Sequence, residues 1–169
     1  MTSGELLADC IERIRASMHA AVEGLDAQQL AFRPDVLANP IGWLLWHTAR
    51  IQDDHIAGLQ GGEQLYVSED WASRMGLQPD DADIGYGHDA AQVARSTPAD
   101  GEVALAYLDA VSRRSIEYLR TLDEGSLARV VDDNWDPPVT EAVRLVSIIN
   151  DNMQHTGQAA YIRGLIDRG

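Results

Sequence analysis

The chain contains no lysine: all 13 basic residues are arginine, set against 27 acidic residues for a net charge of −14. A charge of that sign and size repels phosphate backbones and anionic lipid surfaces, and no local basic patch offsets it, so no nucleic-acid partner is expected. Arginine in place of lysine, with abundant Ala, Asp and Gly, points to a GC-rich coding genome rather than to a function. Cysteine is almost absent as well. Cys10 alone rules out an internal disulfide framework and agrees with a reducing compartment. Lying among Leu6, Leu7, Ile11 and Ile14, it reads as a packed core thiol rather than a nucleophile. No segment approaches the roughly 18 uninterrupted apolar residues of a membrane span. The N-terminus has no basic cluster leading into an apolar run, so no secretory signal is expected and the cytoplasm is the default location. Phosphate loops, nucleophile elbows, paired-cysteine knuckles, internal repeats and low-complexity stretches are missing too.

What remains is an ordinary globular composition, 45% hydrophobic and 24% charged, in 169 residues. That length fits one domain spanning residues 1–169, with a core of its own. Apolar side chains recur at helical spacing through Leu7, Ile11, Ile14, Met18, Ala21 and Leu25, which predicts a first helix over about 3–24 with Ser3 as cap and Gly24 as stop. A second, apolar on several sides, runs from Pro40 to Leu59 and ends at Gly61-Gly62. The third covers about 100–122. A fourth follows Pro137-Pro138, capped by Thr140, with Val143, Val146, Ile149, Met153, Ala160 and Tyr161 along its apolar side to about Asp167. Four such helices without strand alternation predict an all-α, antiparallel four-helix bundle. The connection from about 60 to 100 is too long for a bundle turn, so it reads as a functional excursion or crossover carrying short helices near 70–75 and 89–94. The four tryptophans, Trp43, Trp46, Trp71 and Trp135, are expected to pack.

Asp151 and His155 are the anomaly of the fourth helix. Residues four apart on a helix lie about 40° and 6 Å from one another, so both can point at one ion, and Ile148 and Ile162 flank them, which turns the pair inward. The second helix has a matching station, His47 between Leu44 and Ile51. One divalent cation would neutralise the carboxylate and satisfy both imidazoles, and three ligands plus an open position is the arrangement of catalytic zinc. Each residue also has a plain reading, a satisfied core histidine or a solvated helical pair. Asp54, seven past His47, lies too far along the axis for the same ion and is a candidate for the pocket mouth or for a merely solvated carboxylate. His55 is rotated about 80° away. His19 reads as a boundary residue, and His88 sits on the excursion, within reach of the site if that segment folds over it. Gly157, costing about 1 kcal/mol in a helix relative to alanine, predicts close approach of another helix or a ligand.

Trp46-His47 following Asn39-Pro40-Ile41-Gly42, the run Arg50 to His55, Gly85-Tyr86-Gly87-His88, and Gln154-His155-Thr156-Gly157-Gln158 through Gly164 together resemble the DinB-like superfamily over nearly the whole chain, most closely its actinobacterial mycothiol transferase-like branch. The resemblance implies a divalent metal, zinc or nickel, held by His47, Asp151 and His155. Many members carry histidine at all three places; a carboxylate at position 151 leaves the site with a net charge of about +1 rather than +2. It further implies an S-transferase using a low-molecular-weight thiol such as mycothiol as co-substrate on an electrophile, with the nucleophile borrowed rather than supplied by a protein cysteine. A non-catalytic metal-binding stress protein is the alternative, and metal-assisted hydrolysis a weaker third. A homodimer rests on the resemblance alone.

Overall fold

A computed structural model describes residues 1–169. Helix α1 (Ser3–Val22) begins one residue earlier in its capping than the sequence suggests: Thr2, not Ser3, is the cap, its Oγ1 accepting from Glu5 N at 3.1 Å while Glu5 Oε2 accepts from Thr2 N at 2.7 Å. This reciprocal pair satisfies two of the amide donors a helix start leaves free. After the single turn α2 (Ala27–Leu30), the long helix α3 (Ile41–Gln60) starts after Pro40 and stops at Gly61, which takes φ +65. The excursion carries α4 (Leu65–Ser68), α5 (Trp71–Arg74) and α6 (Ala90–Arg95), and leads to α7 (Gly101–Leu119), capped by Asp100. A short α8 (Glu124–Ala128), strands β1 (Val130–Asp132) and β2 (Val139–Thr140), and the final helix α9 (Glu141–Ile166), capped by Thr140 as expected, complete the chain. The protein is all-α apart from this two-stranded ribbon. The ribbon escapes sequence reading because strands of three and two residues are too short to show alternation.

Four long helices pack side by side, but they do not alternate strictly in direction. Helices α3 and α9 are antiparallel, as Gln52 meeting Asn152 and His55 meeting Arg144 require. Helices α3 and α7 are parallel: Gly42 lies against Thr97 and Pro98 at their starts, and Arg114 reaches Gln60 at their ends. Helix α1 runs against α7, with Arg15 and His19 on Asp109, and alongside α9, whose Arg163 donates to the Ala21 carbonyl. The wholly antiparallel expectation is therefore corrected, because the 60–100 connection is a crossover that returns the chain to the end where α3 began. No helix is long and apolar enough to cross a membrane.

Buried apolar residues form two clusters. A large one gathers Trp43, Leu44, Trp46, Tyr66, Trp71 and Tyr107 with their neighbours, and a smaller one Ile11, Ile14, Ile56, Ile116, Leu145 and Ile148. On α3, α7 and α9 the change from one to the other falls at buried polar residues: Thr48 and Gln52, Ser112 and Ser115, Asn152 and Thr156. Gln52 donates to Ser115 Oγ at 2.8 Å, and Asn152 donates to Gln52 Oε1 at 3.2 Å. Helix α9 differs most from expectation. Val143, Val146, Met153 and Tyr161 are exposed, while Asn152 and Thr156 are buried. Trp135 is exposed as well, and Cys10 is only half-buried, at the edge of a groove shared with Met153 and Gly157. Nothing approaches the place a Gly157 Cβ would occupy, so no other helix makes the close contact expected there.

Candidate metal centre

Antiparallel pairing of α3 and α9 brings together the three residues singled out from the sequence. One ligand atom each from His47, Asp151 and His155 lie within 4.8 Å of one another. His47 Nε2 is 3.6 Å from Asp151 Oδ2, and His155 Nε2 is 3.6 Å from Asp151 Oδ1. Donor atoms around a tetrahedral zinc at about 2.0–2.2 Å stand roughly 3.4 Å apart, so little adjustment separates this arrangement from a ligand shell. The imidazoles are already turned for it. His47 Nδ1 can only donate to the Ile84 carbonyl, and His155 Nδ1 faces Gln158 Oε1 at 3.1 Å, which leaves Nε2 of each neutral ring with its lone pair toward the carboxylate. Asp151 Oδ2 is buried without a hydrogen-bond partner. An orphaned carboxylate oxygen facing two imidazole lone pairs is the donor set a divalent cation satisfies.

The electrostatics follow from position. His47, 5% exposed, is pushed down to about 4 by burial first and by the neighbouring His155 second. Burial raises the Asp151 carboxyl, but the neighbouring His155 imidazole, joined by the charge interactions of His47 and His55, outweighs this and holds it below the usual carboxylate range. His155 is raised: burial works against its charged form, and Asp151 and Gln158 more than offset that. The Asp151 and His155 side chains are 37% and 18% exposed, so the cluster is closed on the α3 side and open along α9.

What closes the α3 side is the excursion. Arg50, fully buried, donates from Nε to the Asp83 carbonyl at 3.1 Å and from Nη2 to the Asp81 carbonyl at 2.9 Å, tying residues 81–83 across the helix that carries His47. The next carbonyl, Ile84, is the one that receives His47 Nδ1–H. Gly85 then passes so close that a Cβ would stand 2.7 Å from His47 Nδ1 and 2.9 Å from both the Trp43 and Trp46 rings, at a φ of +89 that L side chains rarely adopt. Trp43 stacks on the His47 ring at 4.6 Å and donates from Nε1 to His88 Nδ1 at 3.2 Å, while His88 Nε2 donates to Asp83 Oδ1 at 2.7 Å. His88 thus has both nitrogens engaged and braces the cluster without joining it. Gly85→Ala should consequently displace the His47 ring and weaken binding of a divalent ion by about 10- to 100-fold, the usual range for loss of an orienting contact. Competition with a chromogenic chelator would measure this, and an unchanged affinity would mean that Gly85 does not set the ring.

Asp54 and His55 lie elsewhere. They pair at 3.0 Å and line a separate cleft with Arg129, Asp132 and Arg144, and Asp54 Oδ1 accepts from Gln64. His19, half-exposed, bonds Asp109. Sequence reading missed Arg50, Gly85 and Gln158 as supports. A charged residue three positions after His47 on a largely buried helix was the available signal for Arg50.

Fold and site together define a class: all-α proteins with a candidate metal site of two histidines and a carboxylate between antiparallel helices. The chain belongs to the DinB superfamily, whose family model matches residues 11–159. That match is to the superfamily and does not single out the mycothiol transferase-like branch. Among solved structures, the chain is similar to a conserved protein from Enterococcus faecalis, with a TM-score of 0.92 and 31% identity over 100% of this chain and 99% of that one. A search of the curated proteins finds no match.

Proposed function

We propose that the protein is a divalent-metal-dependent S-transferase, with His47, Asp151 and His155 as ligands to zinc or nickel and a low-molecular-weight thiol, mycothiol first among the candidates, as co-substrate. The observation that carries the metal reading is the orphaned Asp151 Oδ2 facing two imidazoles whose Nδ1 protons are already committed to Ile84 and Gln158. A divalent ion at this place would supply the positive charge that keeps a coordinated thiol in its thiolate form near neutral pH. The chain's own residues set the conditions. Ile84 and Gln158 fix the two rings. Trp43, stacked on His47, keeps water from that ring, and the single carboxylate lowers the charge felt by an incoming thiol relative to a three-histidine site. Three protein ligands would leave a divalent ion a coordination position for substrate. Cys10 is the one cysteine and lies on α1 in the groove beside Met153, so the thiol has to come from outside.

The test is conjugation of mycothiol, glutathione and bacillithiol to a panel of electrophiles by zinc- or nickel-loaded protein, followed by mass spectrometry. Turnover with one thiol, lost on chelation and restored by metal, is the expected result. Full metal loading with no turnover of any thiol would favour the non-catalytic metal-binding alternative.

A further inference from the structure

Beside His155, on the side of its Nδ1, lies a cleft between the second half of α9 and the segment that precedes α3. It is a shallow cleft open to solvent with a volume of about 670 Å³, within the roughly 300–1,000 Å³ of small-molecule sites. Leu37, Ala38, Asn39, Gln154, Gln158 and Tyr161 are among its walls, and no lining residue is charged. In a chain with 24% charged residues and a net charge of −14, an uncharged wall of this extent selects against ions. The cleft around His55 has the opposite character, with Asp54, Arg129, Asp132 and Arg144 in its lining. Leu37 and Tyr161 stand exposed, apolar surface kept in water that packing does not require.

Gln158 joins this cleft to the triad. Its Oε1 accepts from His155 Nδ1 at 3.1 Å, so its amide has N–H donors to spare. Gln154, the residue before His155, commits its Nε2 to the Asn150 carbonyl at 3.3 Å and retains an acceptor oxygen. An anion entering here finds no arginine or histidine in the wall, whereas a carbonyl oxygen finds amide donors and an apolar body finds Leu37 and Tyr161.

We propose that this cleft binds the electrophilic substrate and selects an uncharged molecule with an apolar body and a carbonyl oxygen, the oxygen accepting from the Gln158 amide. The role of that molecule as substrate rests on the S-transferase reading; the ligand class rests on the cleft itself.

The experiment titrates zinc-loaded, 15N-labelled protein with benzamide and with benzenesulfonate, a ring of the same size carrying a negative charge and little affinity for metals. Saturable shifts from benzamide at residues 37–39 and 154–161 are expected, with benzenesulfonate at least tenfold weaker. Leu37→Asp and Tyr161→Ala, both at exposed positions that leave the core intact, should each weaken benzamide by tenfold or more. Equal binding of the sulfonate, or no saturable shift in the cleft, overturns the assignment. So does a benzamide response that tracks protein concentration and sedimentation, since a second copy of the chain would then occupy the face. Metal content measured on the same samples separates the two readings. Zinc-free protein that still binds benzamide keeps the ligand class and removes the metal, and full zinc loading without cleft shifts removes the ligand class alone.

Discussion

Alanine at position 155 should leave the chain folded and reduce its bound zinc or nickel from about one equivalent to well under a tenth, because a three-ligand site cut to two loses at least about 100-fold in affinity. The fold is expected to survive because His155 is partly exposed and neither apolar cluster includes it. Its side chain contributes an edge contact with the His47 ring at 4.7 Å and the bond to Gln158, both local. Metal analysis of the two proteins after identical loading and gel filtration, with circular dichroism as the folding control, reads the result. Equal, substoichiometric metal in both would sink the site.

Arg50→Ala is expected to have the largest effect on stability, about 3–5 kcal/mol, the usual cost of stripping a partner from a buried charge. Asp53 is also fully buried. Its oxygens accept from Leu65 N at 3.0 Å, Tyr66 N at 2.8 Å and the Tyr107 hydroxyl at 2.8 Å, with the Arg50 guanidinium 3.8 Å away. Removing Arg50 leaves that carboxylate short of countercharge, although Arg114 stands at 3.8 Å on its other side. It also frees the carbonyls of Asp81 and Asp83 and takes away the cation stacked 4.2 Å over Tyr66. For a domain of this size the loss corresponds to a fall of roughly 6–20 °C in Tm. Thermal unfolding of metal-free protein measures it without interference from the ion. A fall of under about 2 °C would show that Arg114 alone balances Asp53.

The metal candidates were legible because each broke an apolar stripe: His47 between Leu44 and Ile51, and Asp151 with His155 between Ile148 and Ile162. All four flanking residues are buried, and the polar ones meet. The same reasoning failed on the rest of α9. Apolar side chains occur there on two faces, and the face chosen through Val143, Val146, Met153 and Tyr161 is the solvated one, since hydropathy cannot anticipate that Asn152 and Thr156 turn inward, Asn152 to meet Gln52. The direction of α7 depended on how the 60–100 connection crosses the molecule. That path is held in part by Arg50 donating to main-chain carbonyls, and an acceptor that every residue possesses leaves no mark in a sequence. For the same reason the Ile84 support of His47 was invisible, while Gly85 was conspicuous only as a glycine.

The buried Gln52 amide between the two apolar clusters, bonded to Ser115 and Asn152, acts as a vernier for helix register. Apolar ridges tolerate sliding by a turn, since one leucine replaces another at little cost, but Asn152 has its amide partner only when it is level with Gln52. A slip of one turn would strand that amide among apolar side chains at about 1–3 kcal/mol. It would also carry Asp151 and His155 about 5.4 Å past His47. Each triad member is followed directly by a buried polar residue, Thr48, Asn152 or Thr156, so the Asn152 amide that locks α9 against α3 and the groups that converge at the candidate metal site move as one rigid set.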